Sequence, residues 1–382
     1  MPGKTLLLVI CFTVLCGSLE AQNQFSTSHL QCLPDTVDAS ALFDAGISSS
    51  DGRGVGSIPE EALRRIRQDA EKGDAKAQNT MGICFQKGLG VAKSDSVAAL
   101  WYRRAAVQGN ASAQFNLAAM LTSGRGVPRN YTSAAYWFHR SAVQGVTEAQ
   151  SNLGTFYNHG RGVTRSPVMA QEWYRKAADH GDAGAMCNLG MMYLSGRDVP
   201  RDKVQAVQLI RQAADQGSPF GQYLLGVLYE GGHGVERNSL MAMSLYRKSA
   251  RLGSSDAMCK LGTLYLFGKG GVPKDPALGL SWVRKAADRE NAYAQFLLGF
   301  IYEMGEVVPK NYDEALRWCR KAADQELPDA QYLLGSMYER GHGVERNDLE
   351  AARWYHRAGG QGYEPARKRM LLFPVNWLDC VP

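Results

Sequence analysis

The chain has 382 residues, 45% of them apolar, with 41 glycines and a net charge of +6 from 43 basic and 37 acidic side chains. That apolar content excludes an intrinsically disordered chain, and the charge is too slight for an obligate nucleic-acid binder. Length alone predicts two or three globular domains, a prior that a fixed internal period overrides.

At the N-terminus, Lys4 precedes an apolar stretch from Leu6 to Gly17, twelve residues long and short of the roughly 20 that a membrane helix needs. Ala21 suits the last position before cleavage, so residues 1–21 read as a secretory signal peptide and 22–40 as a linker. A bacterial lipoprotein anchor at Cys16 fits less well, because Leu15 stands where a small residue is wanted. No later stretch reaches membrane-spanning length, and the chain ends Asp379-Cys380-Val381-Pro382, which is not a lumenal retention signal. The expected compartment is the secretory pathway, either the endoplasmic-reticulum lumen or outside the cell; for a bacterial chain it is the periplasm or the extracellular space. Six cysteines remain after the leader: Cys32, Cys84, Cys187, Cys259, Cys319 and Cys380. None forms a C-x-x-C pair, and their pairing stays open. The sequons at Asn110 and Asn130 are candidate glycosylation sites.

From there a unit repeats. Aligning the Ala-Gln that opens each copy gives Ala77, Ala113, Ala149, Ala185, Gly221, Ala257, Ala294, Ala330 and Ala366, a step of 36 residues except for one step of 37 at Gly270-Gly271. A worn copy begins near Ala41, so nine units over 41–365 are expected, with a capping helix and tail over 366–382. A period this regular means stacked supersecondary units.

Each unit predicts a helix, a glycine turn and a second helix. The first helix carries Leu-Gly then Tyr, as in Leu153-Gly154 with Tyr157, and stops at Gly-x-Gly-Val, as in Gly160-Arg161-Gly162-Val163. A glycine just past a helix adopts the left-handed conformation that other residues resist. Asp198 and Val307 replace the second turn glycine in two units. The second helix should be capped by Ser94, Asn130, Ser166, Asp202, Asn238, Asp275, Asn311 and Asn347, with capping boxes at Asn311/Glu314 and Asn347/Glu350. The glycine inside the first helix, present as Gly82, Gly154, Gly190 and their equivalents, costs about 1 kcal/mol relative to alanine. Close approach to small pairs such as Ala177-Ala178, with Trp173 and its equivalents filling the space alongside, is the expected compensation.

These residues resemble the Sel-1-like repeat, a relative of the tetratricopeptide repeat with a slightly longer unit: Ala-x-Ala-Gln-x-x-Leu-Gly-x-x-Tyr, then Gly-x-Gly-Val, then Ala-x-x-Trp-Tyr-x-x-Ala-Ala. The resemblance covers roughly Ala41 to Pro374. It implies an all-α, right-handed α-solenoid of helix-turn-helix repeats whose first helices line the concave side. It also implies adaptor or scaffold work, in quality control of the endoplasmic reticulum or in secreted bacterial host-interaction proteins. Cysteine-rich bacterial relatives, to which β-lactam binding or hydrolysis is attributed, bridge the two helices of each unit with closely spaced cysteines; that spacing is absent here.

No catalytic constellation, metal site or cofactor motif emerges. The glycine turns follow helices and lack the Lys-Ser/Thr of phosphate loops. His233 and His342 occupy the middle of turns where other units carry Arg125, Arg161 or Lys269, so solvated side chains are expected there. Basic pairs such as Arg175-Lys176, Arg284-Lys285 and Arg320-Lys321 read as a solvated helix face, partly neutralised by Asp179, Asp288 and Asp324. Cys187 and Cys259 hold one position in units two apart, too distant to pair within a monomer.

The best site candidate is a stripe of positions three, seven and ten of the first helices, counted from the Ala-Gln: Phe115; Cys187, Met191 and Leu194; Tyr223, Val227 and Glu230; Leu266; Phe296, Phe300 and Glu303; Tyr332 and Glu339. Either it is an apolar groove edged with carboxylates and suited to a peptide, or position three packs against the next unit. The expected function is a non-enzymatic scaffold binding a protein or peptide along the concave face, with no nucleic acid and no membrane span. An endoplasmic-reticulum quality-control adaptor and a secreted β-lactamase-like hydrolase are the alternatives.

Overall fold

The computed structural model describes residues 58–373. The expected signal peptide, linker, first helix of the worn copy, Cys32 and Cys380 lie outside them. Eighteen helices follow one another with no strand among the described residues: α1 (Glu60–Glu71), α2 (Ala75–Lys87), α3 (Asp95–Val107), α4 (Ala111–Ser123), α5 (Tyr131–Ala142), α6 (Thr147–His159), α7 (Pro167–Asp179), α8 (Ala183–Ser195), α9 (Lys203–Asp215), α10 (Pro219–Gly231), α11 (Ser239–Arg251), α12 (Ser255–Phe267), α13 (Pro276–Ala287), α14 (Ala292–Met304), α15 (Tyr312–Asp324), α16 (Pro328–Arg340), α17 (Asp348–Gly360) and α18 (Glu364–Met370). The class is the expected α-solenoid of helix pairs. The array divides into two compact units at Ala213/Ala214, inside α9. In the N-terminal unit one apolar core runs from Ile58 to Trp173. In the C-terminal unit a core runs from Ala242 to Trp318, and a smaller cluster around Tyr355 closes the end.

Local chemistry explains the boundaries. All eight expected caps of the second helices accept a backbone N–H three residues on, from Ser94 with Val97 to Asn347 with Glu350. Six of the eight first helices are capped as well, by Asp74, Asn110, Asp182, Ser218, Ser254 and Asn291, whereas α6 and α16 start at Val146 and Leu327 without a side-chain cap. Only half of each expected capping box forms. The carboxylate of Glu314 turns to Arg317 and to the Trp318 indole N–H, and that of Glu350 to Arg353.

The first turn glycine ends each first helix in the left-handed region, as Gly160 does at φ 67°. The second does something sequence does not reveal. A Cβ on Gly162 would lie 2.2 Å from the backbone of Tyr131, at the start of the preceding repeat's second helix, and one on Gly126 would lie 2.3 Å from that of Asp95. This glycine therefore permits backbone contact between repeats. Where Asp198 replaces it, the carboxylate reaches back to Arg165 at 2.6 Å instead.

Close packing against the helix-interior glycine is confirmed, but the expected filler is corrected. The residue packed there is the one after the tryptophan position, which Leu245 holds ahead of Tyr246: a Cβ on Gly82, Gly154 or Gly226 would lie 2.5 to 2.7 Å from the ring of Tyr102, Tyr174 or Tyr246. These tyrosines are fully buried, whereas Trp101, Trp137, Trp282 and Trp354 are only partly covered. A basic side chain roofs most of the tryptophans, as Lys176 does Trp173 at 4.2 Å and Arg104 does Trp101 at 4.7 Å.

Candidate functional site

The glutamine that opens six of the eight units from α2 to α17, with Met186 and Met258 in the other two, joins one repeat to the next. Gln78 Nε2 donates to the Ala70 carbonyl at the end of the preceding second helix, and Gln78 Oε1 accepts from Gln108 at the end of its own repeat's second helix, at 2.7 Å. The same arrangement recurs at Gln114 with Gln144, Gln295 with Gln325 and Gln331 with Gln361. It fails twice. Where the donor is replaced by His180 or Leu252, the buried Oε1 of Gln150 or Gln222 has no hydrogen-bond partner.

The carboxylates of the expected acidic edge are also consumed inside the array. Glu230 accepts from the Tyr246 hydroxyl at 2.6 Å and pairs with Lys260 of the next repeat at 2.9 Å. Glu339 accepts from Tyr355 at 2.7 Å and pairs with Arg369 of α18. Glu303 is buried and faces His342 at 3.4 Å, whose ring stacks on Tyr312 at 4.3 Å. The pattern follows the second-helix residue packed beside position ten. A tyrosine hydroxyl is met by Gln86, Glu230 or Glu339, while Ile210 and Val283 accompany Leu194 and Leu266; Tyr174 is the exception, donating to Thr155 at position seven where position ten is Asn158. Cys319 replaces the tyrosine beside Glu303, which therefore turns to the next repeat's histidine. The expectation that His342 is merely solvated is corrected accordingly.

Burial separates the two sister carboxyls. For Glu303, desolvation dominates and raises the pKa above the ordinary carboxylate range, opposed by His342, Arg340 and Lys310. For Glu339, burial also pushes upward, but hydrogen bonds from Arg369 and Tyr355 outweigh it and the pKa is lowered.

The rest of the stripe divides. Phe115, Cys187, Leu194, Leu266, Phe296 and Phe300 are buried, the last two at 2% and 3% exposure. Phe115 packs on Phe138, and Phe296 lies between Tyr293 and Phe300. For these residues the packing reading of the stripe is the one the geometry favours. Met191, Tyr223, Val227 and Tyr332 keep partial exposure, with Tyr223 against Tyr246 and Tyr332 against Tyr355 and Tyr363. Of the sequon residues, Asn130 is exposed and Asn110 half-buried; each spends its Oδ1 on a helix cap, leaving Nδ2 outside that bond.

Two other features gain detail. The arginines of the basic face donate to tyrosine hydroxyls of the following repeat: Arg247 to Tyr265, Arg284 to Tyr302 and Arg320 to Tyr338, at 2.8 to 2.9 Å. Cys84, Cys187, Cys259 and Cys319 are free and buried, and desolvation pushes their thiols up, Cys84 to about 11. Such thiols stay protonated and unreactive at neutral pH. Among the described residues no cluster of histidine, cysteine and carboxylate side chains could hold a metal ion, and no helix is long and apolar enough to cross a membrane.

Comparison with known proteins agrees with this architecture. A family model described as Sel1 repeat matches eight consecutive segments: 75–110, 111–146, 147–182, 183–218, 219–254, 255–291, 292–327 and 328–363. The chain is similar to a protective antigen of uropathogenic Escherichia coli displaying an SLR fold, at 30% identity over 92% of this chain and 81% of that one, with a TM-score of 0.54. It is also similar to a Sel1 repeat protein from Oxalobacter formigenes, at 33% identity over 59% of this chain and 90% of that one, with a TM-score of 0.57. No curated protein sequence matches it.

Proposed function

The chain belongs to the Sel1 repeat family, and from that premise we propose that it is a non-enzymatic scaffold that binds a protein or peptide partner in a secretory or extracytoplasmic space. The observation that carries this reading is the use of the first-helix polar groups. Glutamine and carboxylate side chains that could serve chemistry are held by second-helix partners inside their own repeat and by contacts to the neighbouring one. What remains for recognition is a preorganised helical surface, which lowers the entropic cost of binding. Along the first helices of the C-terminal unit the accessible part of the stripe is Tyr223, Val227 and Tyr332, with Glu230 and Glu339 one turn or two further on.

An affinity capture from the native compartment with wild type and a Tyr223→Ala, Val227→Ala, Tyr332→Ala variant tests it, with folding checked by circular dichroism. A partner lost by the folded variant supports recognition on this stripe. Equal recovery by both proteins moves recognition elsewhere, and nitrocefin turnover by wild type would overturn the non-enzymatic reading.

A further inference from the structure

From Ser96 to Thr147, 52 residues, the chain contains no aspartate or glutamate and five arginines: Arg103, Arg104, Arg125, Arg129 and Arg140. Five of the six net positive charges of the whole chain therefore fall on this stretch. It includes α3 beyond its first residue, Asp95, and all of α5, the second helices of successive repeats in the N-terminal unit. Leu100 and Val107 on α3, and Tyr136 on α5 with Val143 at its C-terminus, are each more than half exposed.

In both helices these residues are seven apart, two turns or about 10.5 Å along one face. Arg103, Arg104 and Arg140 lie between them at three or four residues' spacing, on the same face. None of the three arginines is in an ion pair among the described residues; the one such pair of this stretch is Arg125 with Asp95. Instead Arg104 lies over Trp101 at 4.7 Å, and Arg140 donates to the Tyr136 hydroxyl at 3.1 Å. Those contacts hold the guanidinium groups near the face without neutralising them. The face is also bounded: the positions of Leu100 and Val107 are occupied by Arg64 and Glu71 on α1, and by Glu172 and Asp179 on α7.

We propose that this face of α3 and α5 docks an acidic amphipathic helix of a partner protein, separately from the first-helix stripe. Apolar side chains of the partner at i, i+3/i+4 and i+7 match the two exposed apolar rows, and its flanking carboxylates meet the three unpaired arginine forks. A protein fits better than a lipid surface on the proposed secretory reading, on which this choice rests, because the anionic leaflet that collects basic patches is the cytoplasmic one.

The test is fluorescence anisotropy on the full chain with a labelled helical peptide carrying leucine at heptad positions a and d and glutamate elsewhere, beside its lysine counterpart. Vesicles of phosphatidylcholine with phosphatidylglycerol form the lipid arm. Two variants, R104E/R140E and L100S/Y136S, alter only exposed side chains, and circular dichroism checks their folding. The expected result is that the glutamate peptide binds wild type and loses about tenfold or more in affinity for either variant, while the lysine peptide gains affinity for R104E/R140E. Equal affinity across the three proteins overturns the proposal. So does vesicle binding abolished by the same substitutions without peptide binding.

Discussion

The glycine inside each first helix shows how one missing atom sets a repeat. At Gly154 the ring of Tyr174 occupies the space where a Cβ would sit, 2.7 Å away. Alanine would gain about 1 kcal/mol of helix propensity there, but overpacking costs about 1–3 kcal/mol. Gly154→Ala should therefore be neutral to destabilising, and Gly154→Leu should lose about 3 kcal/mol or more in urea unfolding. Ala118 is the natural counterexample, paired with Phe138 and fully buried without conflict, so Ala118→Gly should destabilise by about 1 kcal/mol. The two position-ten carboxyls make a second residue-scale prediction. The raised pKa of Glu303 means that its contribution is present at low pH and lost as pH rises through the folded value. The lowered pKa of Glu339 means the reverse, stability present above its unfolded pKa and lost as pH falls. Relative to wild type, Glu303→Gln should thus become more favourable as pH rises above the ordinary carboxylate pKa, whereas the deficit of Glu339→Gln should be full at neutral pH and shrink as pH falls below about 5. Melting temperatures across that range decide it, and parallel trends in the two variants would refute the assignment.

At the scale of the element, the helices were legible because their ends are written in local chemistry. Asn311 caps α15 through the Glu314 amide, and Asn311→Ala should cost about 1 kcal/mol. The glutamine ladder was not legible, since the partner of Gln78 is Gln108, thirty positions away, and only folding brings them together. It also exposes a defect that sequence comparison between repeats could have flagged. Gln222 is buried with an unpartnered oxygen, and the donor's position is held by Leu252, itself exposed. Leu252→Gln should supply that hydrogen bond and raise stability by about 1 kcal/mol, visible as a higher urea midpoint with an unchanged slope. At the chain's last described helix, Arg369→Ala should release α18, and hydrogen exchange over Glu364–Met370 should rise while α16 and α17 stay protected.

For the whole molecule, stability is distributed along the array, since each repeat contacts mainly its neighbours. Gly154→Leu should accordingly raise hydrogen exchange around α6 and α7 and leave α14 to α17 near wild type; uniform loss of protection would contradict a nearest-neighbour array. The sequence by itself determined the class, the unit length, the turns and the second-helix caps. Each of these rests on interactions between residues a few positions apart, and repetition across units separates them from chance. Only the tertiary structure decided what faces water. Phe296 and Glu303 read as a binding edge because periodicity names a helix face without saying what lies against it. Folding buries the ring between Tyr293 and Phe300, and His342 of the next repeat takes the carboxylate. Likewise, the exposed row of Leu100, Val107, Tyr136 and Val143 stands out only once the opposite faces of α3 and α5 are seen to be filled by the core. Burial depends on pairings some thirty residues apart, and one chain's pattern contains those pairings only implicitly.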